Sequence, residues 1–224
     1  MKKLSSRNNF IYLFVSLIFF LFTAAVVAEF SNIFSKSAFV FIILLMLVAS
    51  IRSLHTELTW KRMIYVLFPL FFGLSLLDHF FNSKLYLFLL LSTLLLFFIG
   101  SFLMAIRQVL FEGDIDGNKI IGSLTLYILL GLIWAVIYLQ ILVFDPGAFS
   151  GLEVTNWQEG FSRIAYYSFV TLTTLGYGDI LPTNHIAEFF VYMESIIGVF
   201  YMAIIVSSLI SLRMAAIQES KKGK

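Results

Sequence analysis

The sequence predicts an all-α membrane protein with six transmembrane helices and one re-entrant helix and loop between the fifth and sixth. Three observations carry this prediction. Hydrophobic residues make up 60% of the 224 positions and charged residues only 12%, about half the charged share of a soluble domain. Six apolar stretches approach the length of a membrane-crossing helix, and a seventh, shorter stretch leads into a glycine-containing loop.

The composition also excludes several classes of protein. The chain has no cysteine, which rules out disulfides, thiolate zinc sites and iron–sulfur clusters. The 26 phenylalanines and three prolines are unlike a disordered chain. A net charge of +2, spread along the chain, does not suggest a nucleic-acid partner. We expect a lipid bilayer as the surroundings and no cofactor.

A helix needs about 20 mostly apolar residues to cross the hydrocarbon layer. Six segments are predicted as spans: Asn8–Ala28, a stretch centred on Ser37–Ser50, a stretch centred on Met63–Leu77, Leu85–Ile106, Ile120–Phe144, and Ile186–Leu212 with Glu194 inside it.

The first span has an alternative interpretation. Basic residues, an apolar run and the small residues that end at Ala28 are also found in secretory signal peptides. The uncharged run Asn8–Ala28 has 21 residues, more than the usual 7–15 of a signal peptide. We expect an uncleaved span.

Basic residues indicate the orientation. With six spans, twelve of the fifteen lysines and arginines fall on the side that holds both termini. The positive-inside rule therefore predicts cytoplasmic termini in a plasma (inner) membrane. It places Asp145–Arg163 and the loop after it on the outer side.

The short stretch Ile164–Thr174 is too short to cross and runs into Leu175-Gly176-Tyr177-Gly178-Asp179. Apolar stretches of 10–14 residues favour a re-entrant segment. Non-helical backbone at membrane depth is tolerated where protein or a water-filled cavity satisfies it. We therefore predict a pore, with a short helix over Phe161–Thr173 whose negative C-terminal end favours a cation.

A dehydrated potassium ion needs its hydration oxygens replaced, and rings of backbone carbonyls can do so. Glycine reaches the backbone conformations that aim successive carbonyls at one axis, which explains Gly176 and Gly178. Thr174 can add a ring of hydroxyls at the inner mouth. Tyr177 is expected to point away from the axis as a spacer.

Thr174-Leu175-Gly176-Tyr177-Gly178-Asp179 resembles the signature of the tetrameric potassium channels, with Leu175 in place of the usual valine. The resemblance covers about Lys119–Ile217. It implies that the carbonyls of Thr174, Leu175, Gly176 and Tyr177 form the sites of the permeant K+. It also implies a homotetramer, because the family builds its ring of carbonyls from four chains.

The resemblance further implies support around the filter, from Thr173, Gly178 and an anchored Asp179. A tyrosine of the pore helix, Tyr166 or Tyr167, can donate to Asp179. Some relatives carry a glutamate in the pore helix where this chain has Val170, so filter stabilisation is expected to differ from theirs.

In the last span, Gly198 resembles the family's hinge glycine, and close helix packing is an equally good interpretation. The spacing of Val199, Met202, Val206 and Ile210 predicts a stripe that faces either the cavity or lipid. Glu194 shares a face with Gly198. It is interpreted as an acid beside the filter that tunes conductance or senses protons or, preferably, as a protonated or hydrogen-bonded brace behind the pore helix, for instance against Thr171 or Thr173.

Three regions result: residues 1–118 as a four-helix N-terminal domain, 119–217 as the pore domain and 218–224 as a cytoplasmic tail. Glu112, Asp114, Asp116 and Asn118 depart from the EF-hand pattern, and we interpret them as a polar linker. The gating stimulus is not encoded in any recognisable motif, which leaves room for a regulatory partner.

Two functions from different classes follow. The first is a passive potassium channel, and the second is the membrane subunit of an active potassium transporter. By resemblance, such transporters carry four degenerate filters in one long chain, whereas this chain has one. An enzyme is not expected, because no catalytic pair is present. Leu85–Ile106 lacks arginine, so voltage dependence is expected to be weak or absent.

Overall fold

The computed structural model describes residues 9–30, 40, 41, 43, 44, 46, 58–111, 117–152, 157–207, 210, 211 and 214. Its elements, in chain order, are α1 (Asn9–Glu29), α2 (Leu58–Phe81), α3 (Lys84–Phe111), α4 (Gly117–Phe144), β1 (Phe149–Ser150), α5 (Trp157–Leu172), β2 (Leu181–Pro182), α6 (His185–Phe200) and a π-helix (Tyr201–Val206). The fold is almost entirely helical.

Five described helices are long and apolar enough to cross a membrane: Phe10–Glu29, Arg62–Phe81, Lys84–Leu110, Asn118–Phe144 and His185–Ile204. They correspond to the first, third, fourth, fifth and sixth predicted spans. The second predicted span lies largely outside the described residues. Its five described residues, 40, 41, 43, 44 and 46, are helical.

Helix α4 is the centre of the bundle and the most buried of these spans. It packs against α1, α3, α5 and α6, while α2 packs on the outer side of α3. α1 also contacts α5 directly, and the rings of Phe20 and Phe161 meet edge to face at 5.2 Å. The first span therefore packs against the helix that carries the loop.

A tight turn joins α2 to α3. Asn82 adopts a left-handed conformation with φ 45°, and its amide donates to the Asp78 carbonyl at 2.8 Å. Asparagine tolerates this geometry at the end of a helix. Ser83 then accepts from the Leu85 amide at 3.4 Å, as a residue before a helix does. The turn places α2 and α3 as antiparallel neighbours.

Helix α5 has 16 residues, which span about 24 Å, less than the hydrocarbon layer. It begins four residues before and ends one residue before the predicted Phe161–Thr173. β1 and β2 flank α5 and the loop, and they pair antiparallel with Phe149 opposite Pro182. The helix and the loop therefore start and finish at the same place in the fold.

Replacing Phe20 by Ala should lower the stability of the assembled protein. Phe20 is fully buried, and its ring contacts Phe98 of α3 and Phe161 of α5. Deletion of a buried phenyl ring costs about 3–5 kcal/mol in well-packed cores. The neighbouring Phe19 is 60% exposed, so F19A is the matched control. Thermal inactivation in one detergent measures both variants. Equal loss in F19A and F20A would contradict the packing of α1 on α5.

Candidate functional site

The loop after α5 turns its amides back onto the end of that helix. The Thr174 amide donates to the Thr171 carbonyl at 2.9 Å. The amides of Leu175 and Gly176 both donate to the Val170 carbonyl, at 2.9 and 3.3 Å. These bonds occupy carbonyls that a helix end leaves without partners. They also fix the edge of the loop that carries the N–H groups against α5.

The carbonyls of residues 173–178 are in the opposite situation. Within the described part of the chain, no backbone or side-chain group donates a hydrogen bond to any of them. The side chains of these residues are exposed on the single chain. Backbone carbonyls away from water need a partner. A row of such carbonyls without a donor is a ready ligand set for a cation.

The backbone conformation alternates along the loop. Thr174, Gly176 and Gly178 have φ values of 58°, 58° and 78°, and the residues between them do not. A backbone whose φ changes sign at alternate residues presents successive peptide groups to one side. This pattern is compatible with carbonyls that face a single ligand.

The left-handed backbone expected at Gly176 and Gly178 is present. A Cβ at either glycine would meet no atom within 4 Å, so conformation rather than space accounts for glycine there. The left-handed Thr174 was not foreseen. A non-glycine residue in this region costs about 1–2 kcal/mol, and no sequence signal marks it.

At the outer end of the loop, the Tyr166 side chain lies close enough to Asp179 to interact with its carboxyl group. The Tyr166 ring also stacks on Tyr177 with centroids 6.5 Å apart, and Arg163 lies 5.8 Å from the Tyr166 centroid. Tyr167 points elsewhere and is buried against the ring of Tyr138. Of the two tyrosines proposed for Asp179, the structure brings Tyr166 to it.

A strap formed by residues 145–151 holds the chain just after the loop. The Thr183 amide donates to the Ala148 carbonyl at 2.9 Å, and Asn184 Nδ2 donates to Asp145 Oδ2 at 2.7 Å. Gly151, with φ 78°, packs so closely that a Cβ would lie 2.0 Å from the Asp179 carbonyl oxygen. Asp-Pro-Gly at 145–147 is a turn signal, but no sequence pattern connects this turn with Asp179.

Below the loop lies an apolar cavity of about 930 Å³. Thr173 and Thr174 line it from above, and Val199 of α6, Met202 of the π-helix and Ile210 line it from the last span. The stripe predicted from spacing therefore faces the cavity at these three positions. The side chain of Val206 lies outside the described residues.

Gly198 packs against the end of α5. A Cβ there would lie 2.3 Å from the Leu172 carbonyl oxygen, which also accepts from the Tyr127 hydroxyl at 3.1 Å. Close packing, one of the two interpretations of this glycine, is thus visible, and hinge motion stays a prediction. A π-helix follows directly, and Tyr201 within it donates to the Ser123 carbonyl at 2.5 Å. Such segments are frequent at functional sites.

Glu194 is fully buried and makes hydrogen bonds to two other helices. Tyr138 of α4 donates to one carboxyl oxygen, and Ser168 of α5 lies 2.6 Å from the other. The partners are not Thr171 or Thr173, the examples suggested by the sequence. The partner in α5 is Ser168, which lies three residues before Thr171 and five before Thr173.

The calcium-like acids Glu112, Asp114 and Asp116 lie outside the described residues. Asn118 is described, and its side-chain oxygen accepts from the Phe10 amide at 3.2 Å. It therefore links the start of α1 to the start of α4.

A protein-family model described as "Ion channel" matches residues 124–214. The match begins within α4 and includes the loop, α6 and the π-helix. No curated protein and no solved structure matches the chain. The matched region contains the loop, most of the residues that line the cavity, and Glu194 with its hydrogen-bond partners. With five described helices able to span a bilayer, this match defines a multi-pass membrane protein that carries an ion channel domain. It favours a channel over an enzyme.

Replacing Gly198 by Ala should disturb the start of the loop, because the added methyl group would collide with the Leu172 carbonyl. We expect lower thermal stability of the assembled protein and reduced ion flux. At Gly73 of α2 a Cβ would meet nothing within 4 Å, and alanine is the better helix former by about 1 kcal/mol. G73A is therefore the control. An unchanged G198A would refute the close approach.

Proposed function

We propose that this protein is a potassium-selective channel that conducts K+ passively. The single observation that carries the proposal is the run of carbonyls in residues 173–178, which have no donor in the described chain and lie beside left-handed residues. Rings of backbone carbonyls replace the hydration shell of K+. The resemblance of Thr174–Asp179 to the potassium-channel signature supports K+ as the permeant ion.

The proposed working unit is a homotetramer around one axis. A single chain supplies one strand of carbonyls, and an ion needs oxygens on all sides. Leu175 and Tyr177 are 55% and 66% exposed on the single chain, and neighbouring copies would cover them. In this assembly Thr174, Leu175, Gly176 and Tyr177 coordinate K+, while Thr173, Gly178 and Asp179 support the strand.

The proposed placement is a plasma (inner) membrane, with six spans and both termini in the cytoplasm. α5 and the loop form a re-entrant segment from the outer side. Its length of 16 residues and the pairing of β1 with β2 support this arrangement. The cavity below Thr174 then opens toward the cytoplasm and is lined by Val199 and Met202.

Purified protein in liposomes should pass K+ and Rb+ and exclude Na+ and Li+. The carbonyl sites suit the larger ions, and flux should need neither ATP nor a second ion gradient. Flux assays with each ion in turn measure selectivity. Equal K+ and Na+ flux would refute selectivity, and K+ movement only with an energy source would favour the transporter.

Alanine at Gly176 or Gly178 should abolish selective flux, because both positions need a left-handed backbone that alanine resists. The fold of each chain should persist, since within the single chain a Cβ at either site meets no atom within 4 Å. Flux and size-exclusion chromatography together separate these effects, with G73A as the control. Wild-type selectivity in both variants would remove the loop from the ion path.

Open probability should change only weakly with voltage. Moving one charge across 100 mV is worth about 2.3 kcal/mol, so a steep response needs several charges in each chain. Helix α3 carries Lys84 at one end and Arg107 near the other, with no charged residue between them. Recording in symmetric K+ from about −100 to +100 mV tests this. A steep sigmoid would mean that another segment carries gating charge.

A further inference from the structure

The buried carboxyl of Glu194 belongs to a chain of oxygen atoms that crosses three helices. Tyr138 of α4 hydrogen-bonds Glu194 Oε2, and Glu194 Oε1 lies 2.6 Å from Ser168 Oγ of α5. The same Ser168 Oγ lies 2.7 Å from the Gly131 carbonyl oxygen of α4. Each of the three contacts joins two oxygen atoms in a hydrogen bond, so each needs one hydrogen.

Counting hydrogens decides the protonation state. Tyr138 supplies one hydrogen and Ser168 supplies one, whereas a backbone carbonyl and an ionised carboxylate supply none. Two hydrogens cannot serve three contacts. If the carboxyl carries a proton on Oε1, it donates to Ser168, Ser168 donates to Gly131, and Tyr138 donates to Oε2. This is the one arrangement that satisfies every contact.

The surroundings favour the same state. Glu194 has no exposed surface, and a buried charge without a partner is costly. The titratable groups that face it are tyrosines: Tyr127 and Tyr138 from α4, and Tyr167 from α5. Tyr201 of the π-helix donates to Ser123 instead. Within the described part of the chain, no lysine, arginine or histidine interacts with the carboxyl.

We propose that Glu194 is held as a neutral acid. Its proton completes a chain of hydrogen bonds that joins α6, α5 and α4. Glu194 is a positioning residue in this account: it acts on the filter through Ser168, which lies four residues before Leu172 at the end of α5. Loss of the proton would force Ser168 to donate to Glu194 and leave the Gly131 contact unmade. It would also leave a negative charge buried between helices.

The protonation can be measured without reference to ion conduction. Infrared spectra of wild-type protein and E194Q, recorded in lipid at neutral pH, should differ by the C=O band of a protonated carboxylic acid. That band should be present in wild-type protein, absent in E194Q and shifted in S168A, which removes its acceptor. A difference spectrum with only the bands of an ionised carboxylate would overturn the proposal.

The consequence for conduction rests on the proposed potassium channel. The wild-type protein should lose K+ flux and tetramer stability as the pH rises, because the assembled state holds a proton that an exposed glutamate releases. E194Q keeps the arrangement, since its amide donates to Ser168 and its oxygen accepts from Tyr138. Its flux at neutral pH should stay within about twofold of wild type, about 0.4 kcal/mol, and the alkaline loss should disappear.

Y201F is the matched control, because it also removes a buried hydroxyl that donates to a carbonyl of α4, outside the Glu194 chain. Y201F should still lose K+ flux and tetramer stability as the pH rises from about 6 to about 10. The same alkaline loss in E194Q as in wild type would refute the link to conduction. A protonated-acid band without any K+ selectivity would refute the potassium channel and leave the neutral acid supported.

Discussion

The backbone carbonyls of residues 173–178 impose the constraint on which the arrangement of α4, α5 and α6 around the loop depends. A peptide chain normally pairs both its N–H and its C=O groups. Here the amides of Thr174, Leu175 and Gly176 donate to the end of α5, while the carbonyls beside them accept from no described residue. Such a strand persists only when the surrounding helices hold its backbone firmly, and the neighbouring elements do this from several sides.

Three sets of contacts hold the strand. At its start, Gly198 and Tyr127 both approach the Leu172 carbonyl. At its outer end, the Tyr166 side chain interacts with the Asp179 carboxyl group, and Gly151 packs against the Asp179 backbone. Behind α5, the Glu194 carboxyl joins inner and outer helices, and α1 packs Phe20 against Phe161. The N-terminal helix α1 is therefore in direct contact with α5, the helix that leads into the loop.

Much of this architecture could be predicted from local patterns. Apolar length gave the spans that the structure describes as helices, and the glycines at 176 and 178 marked left-handed backbone. Contacts between distant residues left no such signal. Ser168 and Tyr138 look like ordinary residues of apolar helices, and only the packing of α4, α5 and α6 brings them to Glu194. The strap joins residues that are far apart in the sequence, such as Asp145 and Asn184. Thr174 has a left-handed backbone, which threonine seldom adopts.

The central claim is that the carbonyls of residues 173–178 from four copies bind a dehydrated cation. Anomalous diffraction from crystals of the full chain grown in Rb+ tests it most directly, because the scattering identifies the ion and locates it. The account predicts peaks in a row on a four-fold axis, each ringed by carbonyl oxygens of Thr174, Leu175, Gly176 or Tyr177. Carbonyls turned away from the axis, or an axis without Rb+, would contradict it.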